Sequence, residues 1–442
     1  MRDHPRLPTS PGFWRSPLRG TWFTSVLGLV LLAGITVLFL TGLVSYAAYN
    51  PGLSPVNDTT PDKGLLGFYL FPWPTGPVWL YRFTQGLHVT LGITLVPVLL
   101  AKLWSVVPRL FALPPARSVT HALERLSLVL LVGGGLFEFT TGVLNVQLDY
   151  VFPGSFYPLH FYGAWVFFAA FVAHVVLKAP AAVRAVRRRS PEPEDAAPVS
   201  PQPGETAPAS ASPGETEPAS WPPQETDLAS PRPAPPTVSR RGALGLVGGG
   251  SLLLFLTTVG QSLGGPFRRT ALLAPHGTAD PGGGPNGFQI NKTAAYAGIT
   301  PADTHQDAWR LVVTGRTGTV RLSRADLLRM PQHSSSLPIA CVEGWSTADQ
   351  WWRGVRLRDL AALVGYQDAA PDVLVTSLQR HGAFRRAALR ANQVADGRSL
   401  LALQVNGEDL SPDHGYPARI IVPAAPGVLN TKWVARLTFG DL

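Results

Sequence analysis

The chain has 442 residues and one cysteine, Cys341, set in Cys341-Val-Glu-Gly-Trp-Ser346 at the end of an apolar run that reads as a strand. A single cysteine cannot close an intrachain disulfide or build a cysteine-rich zinc or iron–sulfur site. By itself it reads as a small apolar filler. A thiolate is also a soft, strongly donating metal ligand. If Cys341 holds a metal, a cofactor must bring the other ligands, as the dithiolene of a pterin does. A pterin phosphate needs cationic or backbone donors. His414-Gly-Tyr-Pro-Ala-Arg419 and Asn430-Thr-Lys-Trp433 offer them downstream. Glu343 is either a proton donor near a metal or a strand-end carboxylate.

A second set of reactive residues lies in apolar sequence, where ionisable side chains are costly and usually functional. His88 begins one apolar stretch and His160 another, and His174 follows 14 positions after His160. On a helix that spacing is about 21 Å and nearly four whole turns, so both rings share a face. Neutral imidazole is an axial ligand of haem iron. His88 with His160 would hold an outer haem. His174 needs an inner partner, for which His121 is the candidate, since position 102 is Lys102. The other reading makes these interfacial histidines, bonded to backbone or lipid.

These residues need helices to position them. Five apolar stretches, at 21–48, 86–107, 126–148, 160–180 and 243–263, approach the roughly 20 residues that cross a bilayer. Arg15 and Arg19 precede the first. Lys102, Arg109, Arg117 and Arg125 bracket the second connection, and Arg184 and Arg187 to Arg189 follow the fourth. Positive residues gather on the cytoplasmic side. The chain is thus expected to be a multi-pass cell-membrane protein, partnered by the lipid bilayer, with its N-terminus inside and its C-terminal domain extracytoplasmic. The net charge of +9 raises nucleic acid as a partner. The basic residues flank apolar spans instead, without aromatic interleaving, so no nucleic acid is expected.

Residues 190–238 repeat PGETAPAS, PGETEPAS and PQETDLAS. Such a segment buries too little apolar surface to fold and reads as an extended tether. Ser239-Arg240-Arg241 then opens the fifth span. It is either a twin-arginine-like export signal or two ordinary positive-inside arginines. Beyond residue 285 short apolar runs read as strands at 309–313, 337–342, 373–376, 400–405, 418–422 and 433–439. Helical patterns lie at 323–329, capped by Ser323, and at 357–364, and Asn406-Gly407 is a turn. The expected architecture is multi-domain. An all-α transmembrane four-helix bundle (1–189) leads through the tether to a fifth span (239–264) and then an α+β domain (285–442).

The region from 285 to 442 resembles the sulfite oxidase family molybdopterin domain, most of all its periplasmic protein-methionine-sulfoxide reductase branch. The resemblance rests on CVEGWS at 341–346, Trp352-Arg-Gly-Val-Arg-Leu, LLALQVNGEDL at 400–410, HGYPARIIVP at 414–423 and NTKW at 430–433. It implies a molybdenum–molybdopterin cofactor with Cys341 as the metal ligand. It also implies that Asn291 and Thr376 contact the cofactor, and that His414, Arg419, Asn430, Thr431 and Lys432 hold the pterin and its phosphate. Arg380, His381, Arg385 and Arg386 either meet an oxyanion substrate or form a solvated basic face. A loaded domain would have to cross the membrane folded, which favours the export reading of Arg240-Arg241. The four helices resemble b-type cytochrome subunits of formate dehydrogenases and hydrogenases, implying one or two haems b. Together these imply an oxidoreductase that exchanges electrons with the quinone pool, or another membrane donor, and transfers an oxygen atom to or from a small S- or N-oxide or oxyanion. Sulfite-type oxidation toward quinone and a non-catalytic electron-transfer or assembly protein are the alternatives.

Overall fold

The computed structural model describes residues 18–53, 71–110, 118–146, 156–187, 238–273, 283–380 and 385–442. His381 and residues 190–237 of the tether lie outside them, as does the side chain of His121. Among the described residues five helical segments are long and apolar enough to cross a membrane. They are α1 (Thr21–Ala48), α2 (Leu80–Leu110), α3 (Val119–Asn145), α4 (Tyr157–Arg187), and α5 (Arg240–Leu256) continued by the short α6 (Gly260–Leu263). The second and fourth helices outrun the apolar stretches read from sequence at both ends, and the third begins earlier, at Val119. Apolar composition marks the part suited to hydrocarbon, whereas backbone hydrogen bonding continues into polar ends. Leu40, Val166, Leu252 and Leu253 stay exposed, as suits side chains facing lipid. Ser239 accepts from Gly242 N at 3.0 Å, capping the first turn of α5.

The chain divides into two compact units. One comprises Met1–Leu32, Val98–Val129 and Val172–Val247. There Lys102 Nζ donates to Thr24 O at 2.7 Å. Arg19 Nε donates to Trp104 O at 3.0 Å, its guanidinium 4.2 Å from the indole centroid. The other comprises Ala33–Pro97, Leu130–Phe171 and Gly248–Leu442, so it joins parts of the first four helices to the C-terminal domain. Within it Phe39 of α1 stacks on Phe168 of α4 at 3.6 Å, and Tyr46 packs on Phe161 at 4.5 Å. Gly34 leaves no room for a Cβ against Leu95, and one at Gly134 would lie 3.2 Å from Phe167. Small residues thus let neighbouring helices approach closely.

The C-terminal domain holds two five-stranded sheets. The first has the order β2 (Gly318–Leu322), β1 (Leu311–Gly315), β10 (Val434–Phe439), β5 (Val373–Ser377), β6 (Arg386–Leu389). The second runs β3 (His333–Leu337), β4 (Gln350–Arg356), β7 (Leu400–Val405), β8 (Glu408–Asp409), with β9 (Arg419–Ile421) also paired to β7. All pairs are antiparallel except β1 with β10. Every residue of β7 but Gln404 is buried, as expected of a strand covered on both faces. Leu311, Val313, Leu360, Val375, Leu401, Ile420 and Leu437 form the main core. The expected cap is present: Ser323 and Asp326 make a reciprocal capping box on α8 (Arg324–Arg329). Asn406 (φ 51°) and Gly407 (φ 92°) make the tight turn joining β7 to β8.

The strand expected at 337–342 is not formed: β3 ends at Leu337, and Cys341 lies in a loop. The strands β2, β3, β4, β6 and β8 escaped the sequence reading. β4 carries Trp352-Arg-Gly-Val with alternating exposed and buried residues up to Gly354. Its register shifts between Arg353 and Gly354, where a Cβ would collide with Leu401 O of β7. Only glycine permits that close approach.

Candidate functional site

Ala340 bridges to both Ser346 and Pro426, pinning the start of the cysteine loop. Cys341 N donates to Trp345 O at 2.9 Å, and Gly344 N to Cys341 O at 3.1 Å. Gly344 has φ 87°, the left-handed conformation that closes so tight a turn. The thiol is buried, 4% exposed. Burial first, and then the nearby Glu343 carboxylate, push it well above the ordinary thiol range. A thiolate here therefore needs positive charge beside it, which a coordinated metal supplies. Glu343 is itself buried and accepts from Trp345 Nε1 at 2.8 Å. That bond holds the carboxylate in place within the cysteine loop.

A basic cluster gathers Lys432, just before β10, Arg419, the first residue of β9, and Lys292, from the segment before β1. Lys432 Nζ donates to Asp413 O at 2.7 Å and Lys292 O at 2.8 Å. An ammonium has three donors, and two of them are used in these bonds. Burial, then Arg419, pull its pKa well down, and Asp413 and Cys341 pull it back up. Arg419 is 2% exposed and donates to His414 O at 3.0 Å and Asn430 O at 3.2 Å, and burial lowers its pKa to about 9. Burial also lowers Lys292. Among the described residues, two buried polar atoms here lack a hydrogen-bond partner, Arg419 Nε and Thr431 Oγ1. Mutually destabilised cations with unmet donors are what an anionic group would satisfy.

The other expected residues fall at varied distances from this cluster. His414 is buried, stacks on Phe288 at 3.8 Å, and meets Asn286 O through Nε2 at 2.9 Å. Burial and Arg419 lower its pKa to about 3, so it is neutral. Asn430 Oδ1 accepts from Val422 N at 2.9 Å, fixing the loop. Asn291 is exposed, while its neighbour Lys292 joins the cluster. Thr376 sits on β5, on the face opposite buried Val375 and Ser377, and it is Ser377 Oγ that reaches Lys432 O, at 2.8 Å. Arg380 pairs with Asp303 at 2.6 Å. The sequence reading passed over Lys292, Asp413 and Ser377; each touches Lys432 through backbone or across loops, which no motif spacing reveals.

The helices bring His88 and His160 together, ring centroids 6.2 Å apart and planes at 89°. His88 Nδ1 contacts Leu38 O at 3.0 Å and Thr41 Oγ1 at 3.1 Å. His160 Nδ1 contacts Thr141 Oγ1 at 3.0 Å and Glu138 Oε2 at 3.2 Å. With Nδ1 so engaged, Nε2 of each ring is the lone-pair nitrogen. Each histidine lies against a glycine that follows its threonine. A Cβ on Gly42 would stand 3.2 Å from His88 Cε1, and one on Gly142 3.3 Å from His160 Cε1. Thr41-Gly42 and Thr141-Gly142 are thus matching cradles on α1 and α3. Both histidines and Glu138 line a cavity of about 240 Å³ that also borders Tyr46, Tyr157 and Val342. Glu138, the one carboxylate in the apolar part of α3, was not singled out from the sequence, though its cost in such a segment was a signal. His174 lies in the other unit, half-buried and within electrostatic reach of Lys102 and Lys178.

Residues 297–441 match the family described as oxidoreductase molybdopterin binding domain. The uncharacterized oxidoreductase YuiH of Bacillus subtilis is 31% identical over 145 residues, 33% of this chain and 71% of that protein. The chain belongs to the molybdopterin-binding oxidoreductases of the sulfite oxidase family. Rat mitochondrial sulfite oxidase is 29% identical over 158 residues, 30% of this chain; the match spans 29% of that enzyme's length. The sulfane dehydrogenase SoxCD of Paracoccus pantotrophus aligns over 31% of this chain and 39% of its own at 24% identity and a TM-score of 0.28, too slight a likeness to carry an argument about fold. A molybdopterin domain implies a molybdenum cofactor, and the residues fit one. Cys341 offers the soft ligand, and Lys432, Lys292, Arg419 and Thr431 offer donors to an anionic group.

Proposed function

We propose that this oxidoreductase is bound in the cell membrane, exchanges electrons with the quinone pool through haem b, and transfers an oxygen atom to or from a small S- or N-oxide or oxyanion. The observation that carries the membrane half is the histidine pair. The ring centroids of His88 and His160 lie 6.2 Å apart, so the pair would hold one metal ion between them, nitrogen–metal bonds being about 2 Å. In this reading an iron held by the pair takes its remaining ligands from a porphyrin. A second, inner haem would use His174 and His121. The charge asymmetry and Arg240-Arg241 support an extracytoplasmic C-terminal domain.

In this reading Cys341 holds molybdenum. Lys432, Lys292, Arg419 and Thr431 bind the cofactor phosphate, while His414 and Asn430 fix the loops that carry them. The molybdenum cofactor, when bound, supplies two-electron oxygen-atom exchange. Glu343, held by Trp345, keeps a carboxylate beside the metal ligand. Metal analysis of the purified protein and a reduced-minus-oxidised visible spectrum test the whole reading. Molybdenum and b-type absorbance are both expected. Cys341→Ser should abolish oxygen-atom transfer in a folded protein, and His88→Ala and His160→Ala should remove the same spectral component. Molybdenum without b-type absorbance would leave the helices as an anchor only, and full turnover by Cys341→Ser would remove the thiolate from the mechanism.

A further inference from the structure

The cysteine loop is fastened to the apolar helices at several points, all within one compact unit. Gln85, one turn before His88 on α2, donates its amide to Val342 O. Ser262 of α6 donates to Gly344 O at 2.6 Å, and Ser346 N donates to Gln261 O at 2.9 Å. Gly344 packs on Val89, where a Cβ would come within 2.7 Å of the valine Cβ. Val342 forms part of the wall of the histidine cavity, and one peptide bond joins it to Cys341. Alongside, Tyr81 of α2 and Tyr49, just past the end of α1, share one buried cluster with Ala340.

We infer that the cysteine loop is the electron port of the molybdopterin domain: electrons pass between the cavity and Cys341 through the Val342 backbone that Gln85 grips. This rests on the proposed haem and molybdenum sites. Each crossing takes one electron from ferrous iron, leaving ferric iron, and lowers molybdenum by one oxidation level; oxidative turnover runs the same step backward. Two crossings complete the pair that one oxygen-atom transfer requires, and a membrane quinol recharges the iron. The contact is intramolecular, so no diffusing carrier is needed. Gln85 is a positioning residue: it sets the gap and takes no electron.

The test uses the full chain with both cofactors bound. A flash-excited deazaflavin reduces the haem, and the decay of ferrous absorbance reports the intraprotein step. Gln85→Leu removes the grip on Val342, and Ser262→Ala removes the bond to Gly344 O. Each should slow the decay about tenfold, the order of loss expected when a geometry-dependent step slips by a fraction of an ångström. Molybdenum content and the haem spectrum should stay at the wild-type level. Asn392→Ala, which breaks a 2.8 Å bond to Trp73 O elsewhere on the same interface, should leave the rate within about twofold of wild type, since it spares the geometry of the port. Wild-type decay in both Gln85→Leu and Ser262→Ala overturns the port, as does equal slowing by Asn392→Ala. A wild-type protein without haem absorbance overturns the port through the reading beneath it, a failure visible before any flash.

Discussion

In the C-terminal domain the buried cations Lys432 and Arg419 are held by carbonyls of irregular loops, at Lys292, Asp413, His414 and Asn430. In the helices His88 and His160 are held by threonine hydroxyls, aided by Leu38 O on one side and Glu138 on the other. Loop backbone has unpaired carbonyls to offer, whereas helix carbonyls are already engaged four residues on. A ligand site in loops can therefore draw on the main chain. The site among helices draws mostly on side-chain acceptors, with Leu38 O the one main-chain partner, and removes a Cβ at Gly42 and Gly142 to let the rings approach. The first design tolerates no loss of a donor, and the second tolerates small changes but not bulk.

Four substitutions would break or sharpen that contrast. Lys432→Met should have the largest effect. Losing a charge-assisted bond to an anion costs about 1.5–3 kcal/mol, roughly tenfold to a hundredfold in affinity. Molybdenum per protein by elemental analysis should fall accordingly while haem absorbance stays; a parallel loss of both would mean that the two sites do not stand independently. Gly42→Val and Gly142→Val should come next. Each puts bulk where even a Cβ stands 3.2–3.3 Å from an imidazole carbon, so haem per protein should drop with molybdenum unchanged, and alanine at either position should do less. Full haem content in both valine variants would show that the glycines do not set the ring positions. Glu138→Gln should be smallest. The amide can still accept from His160, so the spectrum should persist, and loss of a carboxylate that strengthens the imidazole as a donor should raise the haem midpoint potential slightly in a redox titration. An unchanged potential would assign the support of His160 to Thr141 alone.

Much of the architecture follows from local rules acting on the sequence alone. Apolar length marked all five helices that are long and apolar enough to cross a membrane, since about twenty apolar residues with few charges have few alternatives. The capping box at Ser323, the Asn406-Gly407 turn and the continuous apolar run of β7 are signatures of a few residues each, so they were legible. The cysteine, histidine and lysine motifs were legible as chemistry. Tertiary structure decided how they meet. Strands β3, β4 and β6 mix polar and apolar residues and gain their identity only from the partners they pair with. The apolar run before Cys341 read as a strand, yet bridges from Ala340 to Ser346 and Pro426 turn it into a loop. Lys292 and Asp413 reach Lys432 through backbone carbonyls, which any residue type could present. The meeting of His88 with His160, and of Gln85 with Val342, depends on which helix faces which loop. Residues far apart in the chain find each other only when close packing fixes those neighbours, and no spacing along the chain encodes that.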